Sequence, residues 1–118
     1  IVKQVKPNGE KNWRRVVPSP EPLEILEADV IKALLKARAI VIASGGGGVP
    51  VMKNGDGTFK GLEAVIDKDK AGNVLAQSVA ADIFLILTDV EFAKKNFGKK
   101  NEENIEKITV KEAEELLA

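Results

Sequence analysis

The stretch Glu63-Ala64-Val65-Ile66-Asp67-Lys68-Asp69-Lys70-Ala71 joins an apolar run to the charged beginning of an amphipathic segment. The apolar half has the character of a buried strand, and the residues from Lys68 to about Ala80 predict a helix with apolar residues on one side. A strand that leads directly into a helix is the basic unit of α/β proteins. Such proteins have their functional residues at this junction, which here carries the four charges of residues 67–70.

Two further apolar runs end in residues that suit the same kind of junction. Ile40-Val41-Ile42-Ala43 leads into Ser44 and four glycines, and Ile83-Phe84-Leu85-Ile86-Leu87 leads into Thr88-Asp89-Val90. We therefore predict strands near residues 39–43, 61–66 and 82–87, parallel in one sheet of a three-layer α/β unit.

The carboxyl ends of parallel strands lie along one edge of a sheet. We therefore expect Gly45 to Gly48, Lys68, Asp69 and Thr88 to converge on a single cleft, although they span more than forty residues.

Composition excludes several classes of function. The 118 residues form at most one domain, and 44% of them are apolar, which is enough for a core. Eighteen basic and 18 acidic residues cancel, so no overall field attracts nucleic acid or an acidic membrane surface. Cysteine and histidine are absent, which excludes disulfides, the usual zinc sites and Ser/His or Cys/His nucleophile pairs within this segment. No apolar run approaches the roughly twenty residues that span a bilayer.

The rest of the chain follows the same alternation of strands and helices. Residues 1–22 predict a hairpin with a turn at Pro7-Asn8-Gly9, followed by a stiff proline-rich connector. The spacing of apolar residues predicts a helix from about Ala28 to Ala37. The other predicted elements are a hairpin around Asn54-Gly55-Asp56-Gly57, an exposed excursion over 94–104, a strand at 105–108 and a helix opened by the capping box Thr109-Val110-Lys111-Glu112.

The four glycines Gly45, Gly46, Gly47 and Gly48 form a candidate loop for an anion or a substrate. Without a Cβ, their backbone can approach a bound anion closely. The pattern is not a P-loop, because Val49-Pro50 follows in place of Gly-Lys-Ser/Thr. It is not the dinucleotide fingerprint either, because a strand is predicted next where that motif opens a helix.

Two interpretations of Asp67-Lys68-Asp69-Lys70 remain open. In the structural one, Asp67 caps the helix and both lysines are solvated. In the functional one, Lys68 and Asp69 act as a pair, because a cation at the positive end of a helix is unfavourable unless it faces an anion. Thr88-Asp89 likewise suits either a plain helix cap or a site, and Arg14 and Arg15 beside Trp13 suit a surface turn better than an anion clamp.

Taken together, these segments resemble carbamate kinase, a member of the amino acid kinase superfamily. The matching stretches occur in the order and with the spacing found in that family. The resemblance is carried by Trp13-Arg14-Arg15-Val16-Val17-Pro18-Ser19-Pro20, by residues 41–51, by Glu63-Ala64-Val65-Ile66-Asp67-Lys68-Asp69 and by residues 81–90. It implies an eight-stranded, mostly parallel αβα sandwich and a cytoplasmic homodimer of arginine metabolism. The implied reaction interconverts ATP and carbamate with ADP and carbamoyl phosphate, with Mg²⁺.

The resemblance also implies roles for individual residues. Lys68 matches the family's active-site lysine, which lies against the transferring phosphoryl group, and Asp69 matches the aspartate that orients the active-site lysines. Gly45 to Gly48 match the loop near the carbamate and the γ-phosphate. Thr88, Asp89 and Val90 match the start of the nucleotide-side loop. No metal-ligating residue is predicted.

The family pattern extends beyond these residues. Carbamate kinases carry Gly-Gly-Asn loops and further active-site lysines that have no counterpart here. We therefore expect the sequence to be the nucleotide-side portion of a longer enzyme, inactive when alone. The alternative is an inactive or structural fragment with weak nucleotide binding. Acetylglutamate or uridylate kinases match the first and third stretches less well.

Overall fold

A computed structural model describes residues 2–8 and 11–117 of the chain. These residues form three helices and three two-stranded antiparallel sheets. The helices are α1 Ala28–Lys36, α2 Lys68–Ser78 and α3 Val110–Leu117, and the strands are β1 Val2–Asn8, β2 Lys11–Arg15, β3 Val51–Lys53, β4 Phe59–Gly61, β5 Ala93–Lys95 and β6 Glu103–Ile105.

The chain divides into two compact units, with the boundary between Leu85 and Ile86. The first unit contains the first two sheets, α1 and α2. The second contains the β5–β6 hairpin and α3. None of the described helices has the length and apolar character that a membrane span requires.

The first two predicted hairpins are present. β1 pairs with β2, but Pro7 and Asn8 of the predicted turn lie in β1, and Gly9 lies outside the described residues. The β3–β4 hairpin around residues 54–57 is confirmed, although its strands are shorter than predicted. The Asn54 N–H donates to the Thr58 carbonyl at 2.8 Å, and the Asp56 carboxylate accepts from the Thr58 hydroxyl at 2.6 Å. This turn reverses the chain, so that the Leu62 N–H donates to the Pro50 carbonyl at 3.0 Å.

The predicted helices are present with nearly the predicted bounds. α1 buries Ile31, and α2 buries Ala71, which has no exposed surface. α2 ends at Ser78, two residues earlier than predicted, and Ala80 has a positive φ of 53° that breaks the helix. Apolar periodicity over two or more turns was therefore sufficient to locate these elements.

The predicted parallel sheet is not confirmed. Residues 39–43 and 82–87 belong to no strand in the described part of the chain, and of residues 61–66 only Gly61 lies in a strand, paired antiparallel with Val51. A strand exists only where a neighbour completes its hydrogen bonds, and the described residues supply no such neighbour. The apolar side chains of these runs are consequently left uncovered, with Ile40 97% and Ile42 95% exposed.

The segment after Val90 also differs from the prediction. Residues 94–104 are exposed, as predicted, but the segment also forms the antiparallel pair β5–β6, in which Lys94 lies opposite Asn104. The predicted strand at 105–108 begins and ends earlier, as β6. The turn between the strands contains Asn96 and Gly98, both with positive φ, which is a usual way to close a hairpin loop.

The capping box at the beginning of α3 is confirmed. The Glu112 carboxylate accepts from the Thr109 N–H at 2.8 Å and from its hydroxyl at 2.6 Å. The Glu112 N–H in turn donates to the Thr109 hydroxyl oxygen at 3.2 Å. These bonds, the hydroxyl first, lower the pKa of Glu112 below its ordinary value of 4.5.

Acid should therefore loosen the first turn of α3. Because the pKa of Glu112 is lower in the folded state, its contribution to stability is present above about pH 4.5 and is lost as the pH falls through the folded-state value. We expect the amide protection factors of residues 110–113 to fall over that window. In Glu112→Gln this acid dependence should disappear, whereas Glu114→Gln, on the same helix, should keep it. An unchanged acid dependence in Glu112→Gln would contradict the assignment.

Candidate active site

The glycine loop adopts a backbone that glycine accommodates with little strain. The φ angles of Gly45, Gly47 and Gly48 are +44°, +128° and +81°, and Ser44 before them is also positive at 62°. Two loop amides are used internally: the Gly45 N–H donates to the Ala43 carbonyl at 2.8 Å, and the Gly47 N–H to the Ser44 carbonyl at 2.7 Å. Within the described residues, the N–H groups of Gly46 and Gly48 have no such acceptor, so they are the amides that a ligand can use.

Gly47 connects the glycine loop to the chain that leads into α2. Gly47 is buried, and a Cβ added to it would lie 2.3 Å from the carbonyl oxygen of Ile66. Ile66 is itself one of the buried apolar residues. The reversal at the β3–β4 hairpin makes this contact possible, because it places residues 47–50 beside residues 62–66. The structure thus brings the loop to the residue that immediately precedes Asp67 and Lys68.

The beginning of α2 holds the charged residues in a defined order. Asp67 is the N-cap, and its carboxylate accepts from the N–H groups of Asp69 at 2.9 Å and Lys70 at 3.0 Å. The Lys70 amide bond is the main reason that the pKa of Asp67 lies below its usual value. Lys68 is the first helical residue, and its ammonium lies 3.6 Å from the Asp69 carboxylate. Its side chain remains largely exposed, so the charge can reach a ligand.

Lys70 has a different partner from Lys68. Its ammonium pairs with Glu21 of the proline-rich connector, and this bond raises the pKa of Lys70. The same connector accepts a hydrogen bond on the Pro18 carbonyl from the Val65 N–H at 3.0 Å. The connector is therefore attached on both sides of Lys68. Sequence reasoning did not find this contact, because residues 49 positions apart give no local signal.

Phe84 attaches the last apolar run of the first unit to α2. Its ring lies against Gly72, where an added Cβ would be 2.8 Å from the ring tip. Gly72 is half-buried, and its neighbour Ala71 is fully buried. The lack of a side chain at Gly72 is what lets the aromatic ring approach the helix backbone.

The predicted nucleotide residues Thr88, Asp89 and Val90 lie in the second unit, and all three are exposed. The Val90 N–H donates to the Thr88 hydroxyl at 3.4 Å. Val90 also lines a cleft of about 500 Å³ in that unit. The cleft residues are Val90, Glu91, Phe92, Lys94, Phe97 and Asn104.

Sequence reasoning missed the cleft itself. The two phenylalanines lie five positions apart, which matches neither a helix stripe nor strand alternation. The signal that was present is the Asn96-Phe97-Gly98 turn, because asparagine and glycine tolerate positive φ and so indicate a hairpin there.

Comparison with known proteins shows which protein family the chain belongs to. Residues 3–118 match the amino acid kinase family, and the chain belongs to that family. It is 50% identical over 111 residues to the carbamate kinase of Halobacterium salinarum, an alignment that covers 94% of this chain and 36% of that protein.

Solved structures agree with this assignment. A carbamate kinase of Giardia superposes with a TM-score of 0.79 at 42% identity, over 92% of this chain and 35% of that one. The Giardia lamblia enzyme bound to AMP-PNP gives a TM-score of 0.73 at 41% identity, over 88% and 32%. The resemblance to carbamate kinase found in the sequence is confirmed, and the chain spans about a third of the length of these relatives.

Replacing Gly47 by alanine should separate the glycine loop from α2. The new Cβ would overlap the Ile66 carbonyl, and φ of +128° is a region that alanine rarely adopts. We expect a loss of roughly 1–3 kcal/mol in the free energy of unfolding, measured by chemical denaturation. Gly46→Ala is the matched control, since an added Cβ there meets nothing within 4 Å. Equal stability of the two variants would show that the contact does not hold the loop.

Proposed function

We propose that this chain is the part of a carbamate kinase that carries the glycine loop, one active-site lysine and the nucleotide side of the site. The observation that carries the proposal is the placement of Gly47 directly against Ile66, which immediately precedes Asp67 and Lys68. Glycine-loop amides, a helix N-terminus and an ammonium group are donors that suit a phosphoryl group. Relatives named carbamate kinase match nearly the whole chain.

Each side chain has a separate role in this proposal. The N–H groups of Gly46 and Gly48 donate to oxygens of the carbamate or of the γ-phosphate. The Lys68 ammonium donates to the non-bridging oxygens of the transferring phosphoryl group. Asp69, 3.6 Å from that ammonium, directs the Lys68 side chain toward the transferring phosphoryl group.

The reaction is a direct transfer that needs positioning more than covalent catalysis. A carbamate oxygen forms a bond to the γ-phosphorus, and the bond from that phosphorus to the β–γ bridging oxygen breaks. The electron pair of the broken bond stays on ADP, and the other product is carbamoyl phosphate. Fixed cationic and amide donors lower the barrier because they are already oriented when charge shifts between the oxygens.

The nucleotide is proposed to use the second unit, where Thr88, Asp89 and Val90 lead into the cleft lined by Phe92 and Phe97. Among the described residues, no group of three or more histidine, cysteine, aspartate or glutamate side chains could hold a metal ion. Magnesium typically binds through substrate phosphates with one or two carboxylates. We therefore treat Mg²⁺ as part of the nucleotide substrate.

The three apolar runs are proposed to join a mostly parallel sheet of a three-layer αβα sandwich, within one domain of the amino acid kinase fold. The proposal is supported by Ile40 and Ile42, which are exposed here. These side chains would be buried in a parallel sheet that has both faces covered. A homodimer in the cytoplasm, acting in arginine metabolism, is proposed on the family resemblance.

The competing proposal is a fragment that binds nucleotide weakly and does not transfer phosphate. It is favoured by the small number of buried apolar residues in the described chain, which are Ile31, Ile66 and Ala71. The two proposals differ in one measurement, because only the first requires ATP formation from ADP and carbamoyl phosphate.

Replacing Lys68 by alanine tests the first proposal in the whole enzyme that contains these residues. We expect kcat to fall by about two orders of magnitude or more, because a fixed cation on the transferring phosphoryl group stabilises the transition state. Nucleotide affinity, measured by calorimetry, should change much less. Asp69→Asn should lower kcat more mildly, since it removes the charge that directs the lysine but keeps the shape.

Lys70→Ala is the matched control. It removes a lysine from the same helical turn, but one that pairs with Glu21. Its kcat should stay within several-fold of the wild type. Near-wild-type turnover in Lys68→Ala would show that Lys68 is only a solvated residue at the beginning of a helix. The assay is steady-state formation of ATP from ADP and carbamoyl phosphate.

A further inference from the structure

The Glu102 carboxylate links the strand and the turn that form the cleft in the second unit. Glu102 pairs through one oxygen with the Lys94 ammonium at 2.5 Å, and its other oxygen accepts from the Gly98 N–H at 2.8 Å. Lys94 lies on β5, whereas Gly98 lies in the turn that carries Phe97. Glu102 therefore fixes the turn relative to the strand.

The turn is also closed by its own bonds. The Lys99 N–H donates to the Asn96 carbonyl at 2.9 Å, and the Asn96 side-chain amide donates to the Asn101 carbonyl at 3.2 Å. These bonds hold the turn in shape but do not attach it to β5. Only the Glu102 carboxylate makes that attachment among the side-chain bonds of the described residues.

The Lys94–Glu102 pair is better shielded than the other ion pairs of the described residues. Its side chains are 35% and 30% exposed, whereas every other described pair has both members above 40%.

The charges of the cleft do not favour an anion. Lys94 is the cation among the residues that line it, and Glu102 already neutralises that charge. Glu91, also in the lining, adds a negative charge. Phe92 and Phe97 supply ring faces, on which a flat heteroaromatic group can stack.

We propose that Glu102 is a positioning residue that holds Phe97 in the cleft through Lys94 and Gly98, so that the cleft takes the uncharged ring of a nucleotide. Lys94 serves the turn and does not contact the phosphates, which bind to groups outside the cleft. The identity of the ligand as a nucleotide rests on the proposed function. The assignment of Glu102 and Lys94 rests on the contacts above.

Calorimetric binding of adenosine and of ATP to the whole enzyme that contains these residues separates the two possible roles of Lys94. We expect Lys94→Met and Glu102→Ala to weaken both ligands by the same factor, roughly three- to tenfold. Glu102→Gln keeps an acceptor for the Gly98 N–H, so it should recover part of the loss in Glu102→Ala. Glu103→Gln, which removes a neighbouring carboxylate from β6, is the control and should bind both ligands as the wild type does.

A selective effect would overturn the proposal. If Lys94→Met weakened ATP at least roughly tenfold more than adenosine, Lys94 would be a phosphate contact. If Glu102→Ala changed neither affinity while circular dichroism showed a folded chain, Glu102 would not position the turn. Failure of the wild-type enzyme to bind adenosine would also overturn it. Failure of the proposed carbamate kinase activity is a separate result, seen as binding without ATP formation.

Discussion

The close approach of Gly47 to the Ile66 carbonyl is the contact on which the geometry of the candidate site depends. It joins two segments 19 positions apart, and it leaves no room for a side chain. A glycine at this position is therefore required by packing as well as by the backbone angle. The amides of Gly46 and Gly48 lie on either side of this contact. The loop would otherwise be a flexible run of glycines with a large conformational entropy.

The charged turn of α2 lies between two of the best-buried residues of the described chain. Ile66 precedes Asp67, and Ala71 follows Lys70. Two aspartates and two lysines alternate in this turn, so its formal charge is zero. The four charges nevertheless make different contacts, because Asp67 caps the helix, Lys70 pairs with the connector, and Lys68 and Asp69 pair with each other. Of the two lysines, Lys68 has its partner within the turn, which leaves its exposed side chain available to an anion.

Local sequence signals predicted the elements that local interactions stabilise. The Asp67 cap, the Thr109–Glu112 box and the turn at residues 54–57 are each complete within a few residues, and all three are present. The β5–β6 hairpin was missed because charged residues such as Lys94, Lys95 and Glu103 are typical of loops, and cross-strand pairing decides their structure. The sequence predicted only that the glycine loop and Lys68 would converge on one cleft, and it did not predict the contact of Gly47 with Ile66. The contact depends on the absence of a Cβ at Gly47 next to the Ile66 carbonyl, and the spacing of residues in the sequence does not predict it.

Two glycine contacts hold segments of the first unit against each other. Gly47 meets Ile66, and Gly72 admits the ring of Phe84, so the glycine loop and Phe84 are both held near α2. In the apolar runs next to them, Ile40, Ile42 and Ile83 are exposed. The phosphoryl transfer proposed above requires donors held to within about 0.5 Å. Covering the exposed runs with neighbouring strands would therefore do more than add stability, because it would fix the strand ends from which the glycine loop and the Thr88 loop extend.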